Sequence, residues 1–293
     1  MKESLNQIDI TGIVSEINIR DIAKPDGTKY VAGDVIVRVE EKGEISEIPV
    51  SFISADLKKD GTPNQNYARL QQLKEFNSIA SAGLEGATRV QIRGAKMAEN
   101  MFLPQGGAEV VSTTRINSNF FTKVSNVNFK PESKFRAIGK ILKIEEEQRN
   151  EDGEMVDTGR LVVRAALVGY ADKLDVIKFI VEEPSAVTFI KANWKQGDTV
   201  QMGGRLRYTS ETVEQEIEAG FGENEVRTFT RRKREFLIER GSAEALDDDN
   251  AYNDEDIKAA LAERMGRMEA VKQKAQQPKP QTAQATTSND FGF

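Results

Sequence analysis

The chain contains no cysteine and no histidine. Without cysteine there is no disulfide framework, thiol nucleophile or thiolate metal site. Without histidine the usual general base and the commonest transition-metal ligand are missing too. There is no apolar run of about 18 residues, so no membrane span is expected. The polar start, Met1 to Gln7, lacks the apolar stretch of a secretion signal. Motifs of the GxxxxGK[ST], HExxH and CxxC types do not occur. These absences point to a cytoplasmic protein without ordinary acid–base machinery, and neither a cofactor nor a metal is expected.

Excess positive charge is also lacking, since the net charge is −6. Of 47 acids and 41 bases, ten acids and six bases lie from Gly241 onward, leaving 37 and 35 in the body. The body is therefore nearly neutral. Phosphate binding depends on a local patch rather than on the total, so a basic surface remains possible.

What the chain does have is an internal repeat. Asp26-Gly27 followed by Gly33 to Val39 matches Asp152-Gly153 followed by Gly159 to Ala165, at an offset of 126. Upstream, Thr11 to Ile17 matches Ile138 to Ile144 with one residue of slippage; downstream, Val90 to Gly94 matches Val200 to Gly204 at an offset of 110. Each copy reads as a strand with an early glycine, a turn at Asp-Gly, a β-branched strand and a third strand (45–53, 173–181). A helical stretch (68–79, 184–193), a strand near Val90 or Val200 and a last strand (113–124, 226–240) follow.

Five strands with a helix between the third and fourth is the layout of the OB barrel, and a glycine in the first strand suits its sharp bend. The predicted fold class is mainly β: two tandem OB-fold barrels, a C-terminal helix and a disordered tail. The first barrel takes residues 1–130 and the second 131–242, with Lys130 to Lys134 as linker. An acidic linker and amphipathic helix take 243–275, and the tail takes 276–293. In the helix Ile257, Leu261, Met265, Met268 and Val271 recur at helical spacing, with Asn253 placed as the cap. Docking on the second barrel and binding of a partner are both open to it.

Such a barrel takes ligands on its second and third strands and neighbouring loops. Alternation sends Val35, Val37 and Val39 inward and Ile36 and Arg38 outward. In the second copy it sends Leu161, Val163 and Ala165 inward, Val162 and Arg164 outward. Arg38 and Arg164 are thus candidate phosphate contacts, although a solvated arginine on a sheet looks the same. Fourth strands offer Arg205 and Arg207 on one face, and Arg93 and Lys96 on opposite faces. Last strands offer Arg115, Phe120, Phe121 and Lys123 in one copy, and Arg227, Phe229, Arg231, Arg232, Lys233 and Arg234 in the other. Cations that track a backbone and rings that stack on bases suit single strands; a basic run can equally protect a sheet edge. Tyr30, Phe52 and Tyr208 are further candidate rings, while Trp194 reads as core. The acidic stretch Glu211 to Glu225 reads as the four–five loop, either covering the basic strand or simply solvated.

The stretch from Gln276 to Ser288 is too polar to form a packed structure, and it ends in Asn289-Asp290-Phe291-Gly292-Phe293. Barrels, basic–aromatic strands and such a tip resemble the single-stranded DNA-binding proteins of bacteria and their phages. The resemblance implies sequence-nonspecific binding and protection of single-stranded DNA in replication, recombination or repair. It also implies that Asp290, Phe291 and Phe293 bind replication or recombination proteins. This tip differs from the family pattern in carrying one acid where the family has several, and glycine where it has proline. Two barrels in one chain suggest a phage-type protein, with a homo-oligomer as a further option. Two other classes remain: a phage structural or assembly protein, and a magnesium-dependent nucleic-acid enzyme using Asp172, Asp175, Glu182 and Glu183.

Overall fold

A computed structural model describes residues 1–151, 154–217, 221, 225–247 and 250–276. The first part of the chain forms β1 (Asn6–Ala23), β2 (Lys29–Glu41), β3 (Glu44–Ala55), α1 (Gln65–Gln71), α2 (Ile79–Gly86), β4 (Arg89–Phe102), β5 (Val111–Asn117) and the short β6 (Thr122–Lys123). The second part forms β7 (Glu132–Glu151), β8 (Glu154–Val168), β9 (Leu174–Val181), α3 (Pro184–Asn193), β10 (Thr199–Ile217), β11 (Glu225–Gly241) and α4 (Asp254–Gln276). The architecture is mainly β, and none of the described helices is long and apolar enough to cross a membrane.

Strand pairing runs in two circuits. In the first unit β1 pairs with β2, β2 with β3, β3 with β5 in parallel, β5 with β4, and β4 returns to β1. In the second unit the same walk runs β7, β8, β9, β11, β10 and back to β7, again with one parallel step. The circuits are joined edge to edge, because β1 also pairs with β7 from Asn6 opposite Ala137 to Thr11 opposite Glu132. All eleven strands therefore form one hydrogen-bonded sheet. The predicted linker is not free chain: Glu132, Ser133 and Lys134 are already strand, opposite Thr11, Ile10 and Asp9. Pro131 sits just ahead of the ladder, where its missing N–H costs no bond.

Period-2 alternation fills both interiors. Val35, Val37 and Val39 are buried, as are Leu161, Val163 and Ala165. In the second unit Phe135, Phe179 and Phe236 pack ring to ring, with centroids 5.4 to 6.1 Å apart. Trp194 is core, its indole N–H donating to the Ser242 carbonyl at 3.0 Å. Gly12 and Gly139 sit where each first strand crosses the second: a Cβ on Gly12 would lie 2.5 Å from the Arg38 carbonyl oxygen, and one on Gly139 3.0 Å from that of Ala166.

Those contacts also correct the repeat. A bulge after Val14 matches one after Ile141, an offset of 127, while their partners Val37 and Ala165 differ by 128. The structural counterpart of Arg164 is thus Ile36, and that of Arg38 is Ala166. Sequence similarity in the β-branched block alone slid the second strands by two residues, one full pleat, which keeps the face but not the position.

Helices and loops differ in smaller ways. The expected helix 68–79 is α1, a 3-10 turn (Gln72–Glu75) and α2, which restarts at Ser78 with a capping box to Ser81. The expected strand 113–124 ends at Asn117, and Thr122–Lys123 instead pairs with β4. The acidic stretch is not all loop, since 211–217 continues β10 opposite 225–231 of β11. Asp152, Gly153, residues 218–220 and 222–224, and the whole tail from 277 lie outside the described residues.

Helix α4 begins with the Asn253 side chain accepting the Glu255 N–H at 2.7 Å. It lays Ile257 and Ala260 on Ala166, Val168 and Leu174 of the second unit. Its inward face differs from the one expected: Arg264 takes the place of Met265, which is 68% exposed. Arg264 reaches across to Glu99 of β4, and Arg267 donates to the Leu174 carbonyl at 2.6 Å. The helix therefore ties both units together.

Gly204 lies at a bulge between β10 and β11, where a Cβ would fall 1.8 Å from the Leu237 carbonyl oxygen. Gly204→Ala should force the two strands apart and cost about 3 kcal/mol, an overpacking penalty. A drop in the urea midpoint at unchanged slope is the expected readout.

Candidate nucleic-acid interface

Two adjoining grooves on the first unit share one exposed ring, Phe120, which is 51% accessible. The loop after β5 presents it, with Ser118 Oγ accepting the Phe120 N–H at 3.1 Å. One groove, of about 540 Å³, has Arg69, Phe76 and Lys123 on its walls. The Arg69 guanidinium lies 5.9 Å from the Phe120 ring centroid, and the Lys123 ammonium 4.8 Å from that of Phe76. The other, of about 520 Å³, has Ile53, Gly94 and Lys96. Lys96 and Arg93 both point outward, contrary to simple alternation. An extra residue at Gly94 (φ 69°) shifts the β1–β4 register between Ile92 and Ala95, so both inward positions are kept and Arg93 and Lys96 share the outer face.

A third groove, of about 270 Å³, lies between the units. The first unit contributes Ser112 to Thr114 of β5; the second contributes Arg164, Lys178, Arg234 and, from α4, Arg264. Arg164 and Lys178 face each other across β8 and β9. Both have carboxylates nearby, Glu145 at 3.2 Å from Arg164 and Glu147 at 3.9 Å from Lys178, but both remain about half exposed and free to exchange partners. A fourth, of about 220 Å³, sets Arg232, Lys233 and Arg234 against Ile36, Glu47 and Pro49.

Several predicted contacts are placed elsewhere. Arg205 and Arg207 do share a face, but it is closed off between the units. Arg205 bonds Glu44 at 2.7 Å and Glu239 at 3.2 Å; Arg207 grips both Glu182 oxygens at 2.6 and 2.8 Å and reaches Glu44 and Glu235 at 3.3 Å. Glu44 is the first residue of β3 in the first unit, so the two arginines are an inter-unit clasp. Burial opposes the charge on Arg207, yet the surrounding carboxylates raise its pKa further. Tyr208 is core, packed on Phe236 at 6.2 Å, with its phenol pKa raised by burial. Phe52 is core as well, edge-on to Phe121 at 5.9 Å. Tyr30 is half-buried under Lys24, whose ammonium lies 4.6 Å from the ring centroid. Arg38 is partly exposed with Glu40 at 3.9 Å, and Arg115 is exposed on β5.

The side chains of Arg227, Phe229 and Arg231 lie outside the described residues, as do Asp290, Phe291 and Phe293 entirely. The acids considered for magnesium are dispersed: Asp172 holds the Met1 amino group, Glu182 the Arg207 guanidinium, and Asp175 lies 3.2 Å from Lys173.

Sequence reasoning missed Arg69, Phe76, Lys178 and Arg264. Lys178 was within reach, since alternation with inward Ile177 and Phe179 turns it outward. Arg264 lies in a helix read for its apolar positions only. Arg69 and Phe76 depend on the break between α1 and α2, which no spacing announces.

Burial pushes the Glu99 carboxyl up, but Arg264 and Ser112 outweigh it and hold its pKa below the ordinary value. Glu44 behaves likewise through Arg205 and Arg207. Carboxylates depressed in the folded state stabilise it above their unfolded pKa, and that stability is lost as pH falls through the folded one. The urea midpoint should accordingly drop on acidification below the usual carboxylate range. Glu99→Gln should flatten that drop while lowering stability at neutral pH, because Arg264 then loses its carboxylate partner.

A family model described as YorF matches residues 4–277. No curated protein matches the chain. Among solved structures, a deletion mutant of the single-stranded DNA binding protein from Thermus aquaticus is similar at 13% identity and a TM-score of 0.46, covering 87% of this chain and all of that one. The wild-type protein from the same organism is similar at 11% identity and a TM-score of 0.47, covering 86% of this chain and 98% of that one.

Proposed function

We propose that this chain, which belongs to the YorF family, is a non-enzymatic protein whose two units are OB-type barrels that bind single-stranded DNA on their outer surfaces. The barrel reading is supported by the two closed walks of strand pairing and by helices between the third and fourth strand of each. The observation that carries the binding reading is Phe120: an exposed ring at the meeting of two grooves, with Arg69, Lys123 and Lys96 around it. Unpaired bases offer faces to such a ring while their phosphates need the cations, and neither contact distinguishes one base from another. Duplex DNA keeps its bases stacked and has no use for the ring.

Replication or recombination is the setting that suits such a protein, and the terminal Asp290, Phe291 and Phe293 would recruit its protein partners. The boundaries 1–130 and 131–242 serve as working limits of the barrels.

Titration of fluorescent oligo-dT at two salt concentrations tests the reading, with duplex of equal length as control. Phe120→Ala should weaken oligo-dT binding by about 1–3 kcal/mol, the worth of one stacked base. Lys96→Glu with Lys123→Glu should weaken it further and lower the salt slope by about one per lost phosphate contact. Equal binding to duplex, or no effect of all three substitutions, would overturn it. Removing residues 290–293 should leave the oligo-dT titration unchanged and abolish capture of replication proteins from a host lysate.

A further inference from the structure

β10 and β11 extend far beyond the second unit. β10 pairs with β7 only from Thr199 to Arg205, and β11 meets β9 only at Leu237. Among the described residues, the two strands from 206 to 217 and from 225 to 236 have only each other as ladder partners. A two-stranded ribbon is marginal by itself, and this one is seated on the first unit. Its base meets the start of β3, where the Tyr208 N–H donates to the buried Ser46 Oγ at 3.2 Å. Just beyond that bond the ribbon stands off, leaving the cavity of about 220 Å³. The wall on the first unit is Ile36 and Pro49, with Glu47; the ribbon side carries Arg232, Lys233 and Arg234. Strand alternation puts Arg232 and Arg234 on one face of the ribbon and Lys233 on the other. A largely apolar wall beside this basic stretch thus matches a strand that turns its bases to one side and its phosphates to the other.

We infer that one segment of single-stranded nucleic acid runs between the ribbon and the β2–β3 wall, enclosed on both sides, so that the ribbon must lift for a strand without ends to enter. The inference rests on the single-strand reading above and adds to it the path and the mode of entry. Among the described residues Glu47 is the one carboxylate lining the cavity, and bound phosphate would offer the basic stretch a second anionic neighbour.

The absence of cysteine makes a clean test possible. Glu47→Cys and Ser210→Cys, on opposite sides of the cavity, would be joined by a short bis-maleimide whose spacer contains a reducible disulfide. Crosslinking after loading onto circular single-stranded DNA should leave about tenfold or more protein bound through a high-salt wash, conditions that strip ordinary phosphate contacts. Reduction of the spacer, or one cut in the circle, should release it. Crosslinking before loading should block circles while linear oligonucleotides still thread. Pro49→Cys with Thr209→Cys provides a second pair should the first disturb folding. Salt that strips crosslinked and uncrosslinked circles alike would overturn the enclosed path and leave the binding reading standing. Failure of the uncrosslinked variants to bind either DNA, against normal binding by the wild type, would implicate the cavity directly. Failure of the wild type itself would sink the single-strand reading.

Discussion

Arg205 and Arg207 lie side by side on β10, held by carboxylates from both units, and the shape of the molecular surface follows from that arrangement. Glu44 is contributed by the first unit; Glu182, Glu235 and Glu239 come from the second. Guanidinium groups this deeply placed depend on their partners, because removing one carboxylate leaves a largely buried cation undercompensated. The network therefore specifies one orientation of the units rather than merely adding cohesion. The inter-unit groove, with β5 hydroxyls on one bank and Arg164, Lys178 and Arg234 on the other, exists only in that orientation.

The two units differ in what their outer faces do. Where the first unit shows Arg38, the second has Ala166, buried beneath α4 with Val168 and Leu174. Where the second unit shows Arg164 opposite Lys178, the first has Ile36 opposite Pro49. One face is thus given over to a covering helix, and another to the neighbour's ribbon. Accessible cations line the seam between units and surround Phe120.

Much of this was legible in the residues. Inward and outward positions along β2 follow from alternation, because a strand with one buried face leaves no other choice; β8 is covered on both faces, so Val162, expected outward, is buried against Ile180 and Leu237. The glycines at 12 and 139, and the limits of α3, were equally readable. Register between repeats was not, because Val, Ile and Arg recur every second residue and a slip of one pleat costs nothing in similarity. Nor was the fate of Arg205 and Arg207: an outward arginine on a lone strand looks free, and only the approach of Glu44 from 161 residues away converts it into a clasp. Gly94 hid in the same way, since a bulge adds one residue and inverts every later inference about faces.

Both circuits close through their thinnest joint. β3 and β5 share two residue pairs, Val50 with Ile116 and Ser51 with Asn117, and β9 and β11 share one. Strands that run side by side for so short a distance must diverge on either side of it, and the wedge between them cannot be filled by ladder bonds. The recess bounded by Ile53 and Phe120 opens at the first of these joints, and the one bounded by Lys178 and Arg234 at the second. Hollows at these two places are thus dictated by how a five-membered ring of strands is stitched shut; evolution needed only to decorate their rims.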